Sequence, residues 1–374
     1  MRNVAICGSH VKNFISSPSF VTAIEMDGVP IFCGLIHTED IKFDRHIPEN
    51  RFKVLVRKIA FSYNYRDKNL IFTTAIKAAL NRFYVVGSEF VGEVIDIGSD
   101  VTDFQIGDKV IGNNHYPNSG IEGVPGGLPS NNSSTEYQVF HQIKLIKVPP
   151  QIPDEVAATI SIGGQTTYSM LRKLSLTEGS NVLVTSANSN TSLFAINALN
   201  KHKVNIYATT TSMRFEKELK EMGVKRLIQI EPNSENWVAD ELAEEIVKEK
   251  GSFDCIIDPF FDIHIGKLIP LLASGGRYIT CGFYDQYSSL IGKEFQYRGL
   301  TTSEIFVTMM LKNIQIIGNC IGKTEDLQNA IQDYASGSLN VVIDSVFSGK
   351  QVGEFFERTY NAKDRFGKVV YRYD

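Results

Sequence analysis

Four small polar residues, Ser186, Ser189, Asn190 and Ser192, stand between a β-branched run, Val182 to Val184, and a stretch with apolar side chains at helical spacing, Leu193, Ile196 and Leu199. Strand, tight turn and helix in that order set a helix N-terminus beside the turn, where backbone N–H groups bind phosphate. A dinucleotide loop normally uses glycine there, for positive φ, for close approach to the pyrophosphate and for tight helix–strand contact. Here Asn190 can take the left-handed conformation and the serines are the smallest polar substitutes, although each Cβ crowds the site. Retained phosphate binding, partly through hydroxyls and with Thr191 in the same turn, is the expectation. A second β-branched run, Val204 to Tyr207, completes a βαβ unit and leads into Thr209-Thr-Thr-Ser-Met-Arg-Phe-Glu-Lys217. An acidic residue at the end of that strand would hold the ribose hydroxyls of NAD. The hydroxyls of Thr210, Thr211 and Ser212 with Arg214 and Lys217 suit a 2′-phosphate instead, and equally suit a solvated helix start capped by Ser212.

The elements around this loop divide the chain. Residues 1 to 60 alternate apolar side chains over Val21 to Ile24, Pro30 to Ile36 and Phe52 to Ile59, the pattern of short strands. A polar, aromatic loop follows, with a helix expected near Thr74 to Leu80. The spacing of Gly92, Gly98, Gly107 and Gly112 suits a small antiparallel barrel, and Pro117 to Ser134 reads as a Gly/Pro/Asn/Ser-rich loop, either a lid or a solvated insertion. From Asp154 the pattern becomes longer: a helix over Glu155 to Leu174, the βαβ unit, helices at Arg214 to Met222, Trp237 to Lys250 and Ile263 to Leu272, and strands at Arg226 to Ile230, Phe253 to Ile257, Arg277 to Thr280 and Ile314 to Ile317. Alternation of this kind builds a doubly wound parallel sheet. A helix at Thr324 to Ser336 and a strand at Lys368 to Tyr371 close the chain.

Composition narrows the class. At 374 residues the chain suits two domains, and a net charge of −4 with dispersed basic residues gives no electrostatic reason to invoke nucleic acid or anionic lipid. Five scattered cysteines without a C-x-x-C pair argue against a disulfide framework and a structural zinc cluster. With no apolar run of membrane-spanning length and no signal-like N-terminus, a cytoplasmic protein is expected.

With these residues in view, the chain resembles the medium-chain dehydrogenase/reductases. Gly87-Ser-Glu-Phe-Val-Gly-Glu-Val, continued by Val101, Phe104, Gly107-Asp108, Val110 and Gly112, matches the superfamily signature. Glu136-Tyr137, Lys147-Val-Pro149, Ala157-Ala158 and Gly164 to Tyr168 match its middle, and Asp258, Gly275-Gly276 and Gly367-Lys-Val-Val370 its back half. The resemblance implies an α/β fold: a GroES-like β-barrel domain (1–153 and 323–374) with an inserted Rossmann domain (154–322), an active site in the cleft between them, and a homodimer formed through the Rossmann sheet edge. The positions matching the superfamily's catalytic zinc ligands hold Asn64, Ser88 and Ile162, an amide, a hydroxyl and a hydrocarbon, and no cysteine stands between Gly112 and Glu136. No metal site is expected.

Asn64-Tyr65-Arg66-Asp67 resembles the pattern of zinc-free quinone oxidoreductases and enoyl reductases. That likeness implies reduction of an activated C=C bond in a small molecule or peptide (an enone, an enoyl thioester, a quinone or a dehydroamino acid), and it tips the cofactor towards NADP(H). Without zinc, a developing enolate needs hydrogen-bond donors and the α-carbon needs a proton. Tyr63, Tyr65 and Tyr84 are the donor candidates, with Asn64 and Thr166 positioning nicotinamide or substrate, and Cys281 and Gly282 joining the cofactor set. Each tyrosine also suits plain packing, and Arg66 with Asp67 suits an ion pair. The seven histidines form no motif. The competing readings are a carbonyl reductase and a cofactor-less binding protein of the same fold.

Overall fold

The computed structural model describes residues 1–78, 80–231, 252–294, 297 and 299–374. The helix expected at Trp237 to Lys250 lies outside them. The chain forms two compact units, one of Met1–Ile162, Tyr287–Lys293 and Val342–Asp374, the other of Gly163–Gln286 and Glu294–Val341.

The first unit holds β1 (Arg2–Cys7), β2 (Phe20–Met26), β3 (Val29–His37), β4 (Lys53–Ser62), β5 (Phe83–Val85), β6 (Glu89–Ile97), β7 (Lys109–Gly112), β8 (Tyr137–His141) and β9 (Leu145–Lys147), joined late in the chain by β16 (Ile343–Ser348) and β17 (Lys368–Arg372). One sheet runs β2-β3-β1-β5; the other runs β16-β17-β4-β6-β7-β9 with β8 on β4. The β2–β3 hairpin turns at Asp27-Gly28, both at positive φ, as a two-residue turn matching strand twist requires. Its core is aromatic: Phe61, Tyr63, Phe90, Phe355, Phe356 and Tyr371 are all buried.

The second unit carries β10 (Asn181–Val184), β11 (Asn205–Thr210), β12 (Val224–Gln229), β13 (Phe253–Asp258), β14 (Leu272–Thr280) and β15 (Gln315–Gly318). They form one parallel sheet in the order β12-β11-β10-β13-β14-β15. The order reverses at β10, so the crevice beyond its carboxyl end is where such a sheet binds a ligand. Every residue of β10 but the first is buried, as a central parallel strand demands. The expected α/β architecture, barrel unit plus doubly wound sheet, is thus the observed one. No helix among the described residues is long and apolar enough to cross a membrane.

Helix boundaries differ from the sequence reading in instructive ways. The first helix, α1, spans Tyr65–Lys77 instead of Thr74 to Leu80. Its start is fixed by the Asn64–Asp67 pair: the Asp67 carboxylate accepts the Asn64 N–H at 2.8 Å, and the Asp67 N–H donates to the Asn64 carbonyl at 3.0 Å. Asn-x-x-Asp is a helix start, so the aromatic "loop" is the first turn of a helix. Next come α2 (Asp154–Leu174), α3 (Asn190–Leu199), α4 (Glu216–Glu221), α5 (Phe261–Leu268), α6 (Thr302–Lys312), α7 (Thr324–Ala335) and α8 (Val352–Tyr360). The first turns of α2 belong to the barrel unit, where the Ile162 N–H donates to Glu89 at 3.1 Å. Helix α7 groups with the parallel sheet's unit, tied by Asp326 to Arg172 of α2 at 2.8 and 2.9 Å.

The Gly/Pro-rich loop after β7 is stitched to the barrel. The buried Lys144 ammonium donates to the carbonyls of Pro125 at 2.7 Å and Gly127 at 2.8 Å. Lys58, also buried, donates to the Asn132 carbonyl at 2.9 Å and to Gln138 at 2.6 Å, and Arg66 reaches Asn131 at 3.1 Å. Burial pushes the Lys58 ammonium well below the ordinary lysine range and lowers Lys144 in the same direction. The loop is a pinned wall of the barrel. Replacing Lys144→Met is expected to release it, seen as faster proteolytic cleavage between Pro117 and Gly127 at unchanged cleavage elsewhere; an unaltered digestion pattern would refute the pinning.

Candidate active site

The residues matching the superfamily's metal ligands meet in the barrel unit around a carboxylate. Glu89, fully buried at the start of β6, accepts hydrogen bonds from Ser62 Oγ at 2.8 Å, Asn64 Nδ2 at 2.9 Å, the Ile162 N–H at 3.1 Å and Ser161 Oγ at 3.4 Å. The Lys368 ammonium, equally buried at the start of β17, pairs directly with Glu89 Oε1. It also donates to Asn64 Oδ1 at 2.9 Å and to the Tyr63 carbonyl at 3.3 Å. Asn64 Nδ2 reaches Ser88 Oγ at 3.3 Å, and Ser88 donates onward to Asp67 at 2.8 Å. An ammonium whose hydrogens are accepted by oxygens of Asn64, Glu89 and the Tyr63 backbone therefore stands beside Asn64, one of these positions. Asn64, Ser88 and Ile162 do not fit zinc, which takes thiolate, imidazole or carboxylate in a tetrahedron. Among the described residues no group of three or more His, Cys, Asp or Glu gathers for a metal.

This geometry sorts the catalytic candidates. Asn64 has its amide hydrogens and its carbonyl oxygen engaged within the network, so it positions its neighbours. Tyr63 is locked into the aromatic core, its ring 5.1 Å from Phe355 and 5.3 Å from Phe356, with a buried hydroxyl that makes no hydrogen bond among the described residues. Tyr84 lies on β5, the outer strand of the four-stranded sheet, paired through the backbone with Ile6, and shares no described contact with the Glu89 network. Tyr65, half-buried at the first position of α1, directly follows Asn64, with its ring 6.2 Å from that of Tyr287. Asp67 is fully buried and its pKa is raised, burial outweighing the pull of Arg66 at 2.9 Å and of the Asn64 N–H. The sequence reading passed over Lys368 and Glu89 as chemistry, although both stand in quoted signature blocks; their partnership spans 279 residues.

In the parallel-sheet unit the glycine-poor loop keeps the backbone a glycine loop would have. Ser186 adopts φ +51°, the left-handed conformation expected of the first glycine. Ser189 caps α3, its Oγ accepting from the Ser192 N–H at 3.3 Å. Ser192 is fully buried, and its hydroxyl donates to the Thr185 carbonyl at 2.6 Å, so its side chain is directed at the end of β10. The crowding expected from that Cβ is absorbed by capping a strand carbonyl. Asn190 and Thr191 form the first turn of α3, and Thr166 is buried in α2. Thr210 is buried and its hydroxyl is occupied, donating to the Ser212 carbonyl at 2.9 Å and accepting from the Ser212 N–H at 3.2 Å. Ser212 accepts from the Arg214 N–H at 3.3 Å, the cap that the sequence suggested. Thr211 and Arg214 are exposed, and Lys217 pairs with Glu221 at 3.9 Å. Gly282 follows β14, its carbonyl accepting from Thr280 Oγ1 at 3.1 Å; burial pushes the neighbouring Cys281 thiol up to about 12.

Behind the loop lies a second buried carboxylate. Asp258 ends β13 and accepts from Thr185 Oγ1 at 2.6 Å, the Phe260 N–H at 2.9 Å and the Tyr278 hydroxyl, with His264 Nδ1 at 2.8 Å. Burial alone would raise this carboxyl; His264 and the hydroxyls hold it below the ordinary carboxylate range. His264, which stands in no sequence motif, is thus the loop's indirect support.

A model of the alcohol dehydrogenase GroES-like domain matches residues 50–154. The acryloyl-coenzyme A reductase of Metallosphaera sedula is 27% identical over 303 residues, covering 76% of this chain and 82% of that protein. In backbone, the chain is similar to an NAD-dependent alcohol dehydrogenase, with a TM-score of 0.72 at 20% identity over 100% of this chain and 99% of the other. It is also similar to the 2-octenoyl-CoA carboxylase reductase CinF in complex with NADP and 2-octenoyl-CoA, with a TM-score of 0.71 at 18% identity over 99% and 87%. At such identities these two likenesses speak to the fold.

Replacing Lys368→Met strands Glu89 as a buried, unpaired charge and is expected to cost about 3–5 kcal/mol in urea unfolding. The double variant Lys368→Met/Glu89→Gln is expected to recover much of that loss, and strict additivity would contradict the pairing. Asp258 titrates lower in the folded chain than in the unfolded one, so its contribution is complete above the ordinary carboxylate pKa of about 3.9 and vanishes as pH falls through its lower folded value. Asp258→Asn is therefore expected to flatten the acid limb of stability against pH relative to the parent chain; identical limbs would refute the assignment.

Proposed function

We propose that the chain is a medium-chain dehydrogenase/reductase, and within that superfamily a zinc-independent reductase using NADPH to reduce a C=C bond conjugated to a carbonyl. The observation that carries this reading is the set Asn64, Ser88 and Ile162 at the positions that match the metal ligands, with the Asn64 amide taken up by Glu89, Ser88 and Lys368. An isolated carbonyl needs strong polarisation to accept a hydride equivalent, whereas a conjugated alkene spreads the developing charge onto its own carbonyl oxygen and needs only hydrogen-bond donors. The relative that reduces acryloyl-coenzyme A and the neighbour that carries NADP with an enoyl thioester support the same substrate class.

The loop fits a dinucleotide: Ser186 takes the glycine conformation and Ser192 turns its side chain to the strand, leaving Ser189 to Ser192 as a helix N-terminus suited to a pyrophosphate. Arg214 and Lys217, beyond the end of β11, suit a 2′-phosphate. When bound, a reduced nicotinamide supplies the two-electron reductant. Of the three tyrosines, Tyr65 directly follows Asn64 at the head of α1, half-buried where its ring packs against the barrel core, and it is assigned as the donor to the substrate.

NADPH oxidation screened over enones, enoyl thioesters, quinones and dehydroalanine peptides, with metal analysis alongside, tests the proposal. Turnover of one of these classes is expected to survive chelation, and Tyr65→Phe is expected to lower kcat roughly 100-fold. Stoichiometric zinc in an active preparation, or no saturable NADPH binding below a millimolar, would overturn it.

A further inference from the structure

Asn188 sits where the phosphate loop meets the end of β11. The backbone on its N-terminal side is laced to that strand: the Ser186 N–H donates to Thr209 Oγ1 at 3.3 Å and the Ala187 N–H to the Thr209 carbonyl at 2.8 Å. The Asn188 side chain continues the lacing, with Nδ2 donating to Thr210 Oγ1 at 3.1 Å. Which end of this amide faces Thr210 is decided by Thr210's other bonds. Its single hydroxyl hydrogen goes to the Ser212 carbonyl at 2.9 Å, so towards Asn188 that oxygen can only accept. The amide NH2 must face Thr210, and Oδ1 must face away. That Oδ1 is buried and has no hydrogen-bond partner among the described residues.

A buried carbonyl oxygen without a donor is unfavourable, and proteins keep such groups where a ligand or ordered water completes them. In a doubly wound sheet the end of the strand following the phosphate loop is where the adenosine ribose lies. A ribose offers hydroxyl donors, and a phosphate dianion offers none to an acceptor oxygen.

Resting on the dinucleotide reading above, we propose that Asn188 is a cofactor-recognition residue whose Oδ1 accepts a hydrogen bond from an adenosine-ribose hydroxyl, leaving the 2′-phosphate to the exposed basic residues that follow β11. The Thr210–Ser212 turn orients Asn188, so the reading device is the amide together with the turn that prevents its flip. The shared chemistry is a hydroxyl donor, from the 2′ or the 3′ position in NADH and from the 3′ position alone in NADPH.

Calorimetric titration of NADPH, NADH and 3′-deoxy-adenosine NADPH into the full chain tests this without turnover. Asn188→Ala is expected to weaken NADPH about three- to tenfold, the range of one neutral hydrogen bond, while leaving the melting temperature of the free protein within a degree or so of the parent. The 3′-deoxy cofactor is expected to bind the parent chain with the same loss and to be indifferent to Asn188→Ala, since donor and acceptor are then removed together. Asn188→Asp keeps an acceptor but adds charge beside the 2′ position, and is expected to weaken NADPH more than NADH. Equal NADPH affinity in the parent and Asn188→Ala overturns the proposal while leaving the reductase reading intact. A 3′-deoxy cofactor still weakened by Asn188→Ala also overturns it. No saturable binding of either natural cofactor to the parent chain overturns both readings.

Discussion

The barrel unit depends on one buried ion pair, Lys368 with Glu89. Taking both charges out of water is unfavourable by several kcal/mol for each ion, and such a pair is sustained only when its remaining lone pairs and hydrogens are satisfied. Here they are, by residues from two stretches of sequence: Ser62, the Tyr63 carbonyl and Asn64 where β4 hands over to α1, and Ser161 with Ile162 in α2. The pair is thus a junction that ties together the end of β4, the starts of β6 and β17, the entry of α1 and the interior of α2. Asn64 takes its orientation from it, and Tyr65 takes its place from Asn64.

The second unit shows how a loop can lose its glycines and keep its shape. Glycine's three tasks have been divided among different devices. Ser186 accepts the left-handed backbone, Ser189 caps the helix, and Ser192 converts the side chain that ought to obstruct the helix–strand seam into a hydrogen bond to Thr185. Thr185 is itself held by Asp258, which His264 and Tyr278 support. The loop's conformation is enforced from behind by a buried carboxylate, where a glycine loop relies on freedom from steric conflict.

Much of this architecture was legible in the sequence because it is written in local periodicity. The βαβ unit, the glycine-punctuated strands and the long α2 helix each follow from neighbouring residues. The convergence of Asn64, Ser88 and Ile162 was legible only through resemblance, which fixes positions and says nothing of contacts. What escaped falls into three physical kinds. Asn-x-x-Asp at residues 64 to 67 was a local signal, a helix start, hidden by aromatic residues that resembled a loop. The choice among Tyr63, Tyr65 and Tyr84 could not be made from residue type, since core, helix start and outer strand use tyrosine alike. Lys368 was beyond local reasoning altogether, because its partner stands on a strand threaded much earlier in the chain.

That separation bears on how the protein becomes competent. A metalloenzyme assembled on this scaffold would depend on metal supply and would lose its central cation to a chelator. This chain carries a cation at the heart of the barrel covalently, on β17. The charge that neutralises Glu89 therefore arrives with the seating of β17 against β4.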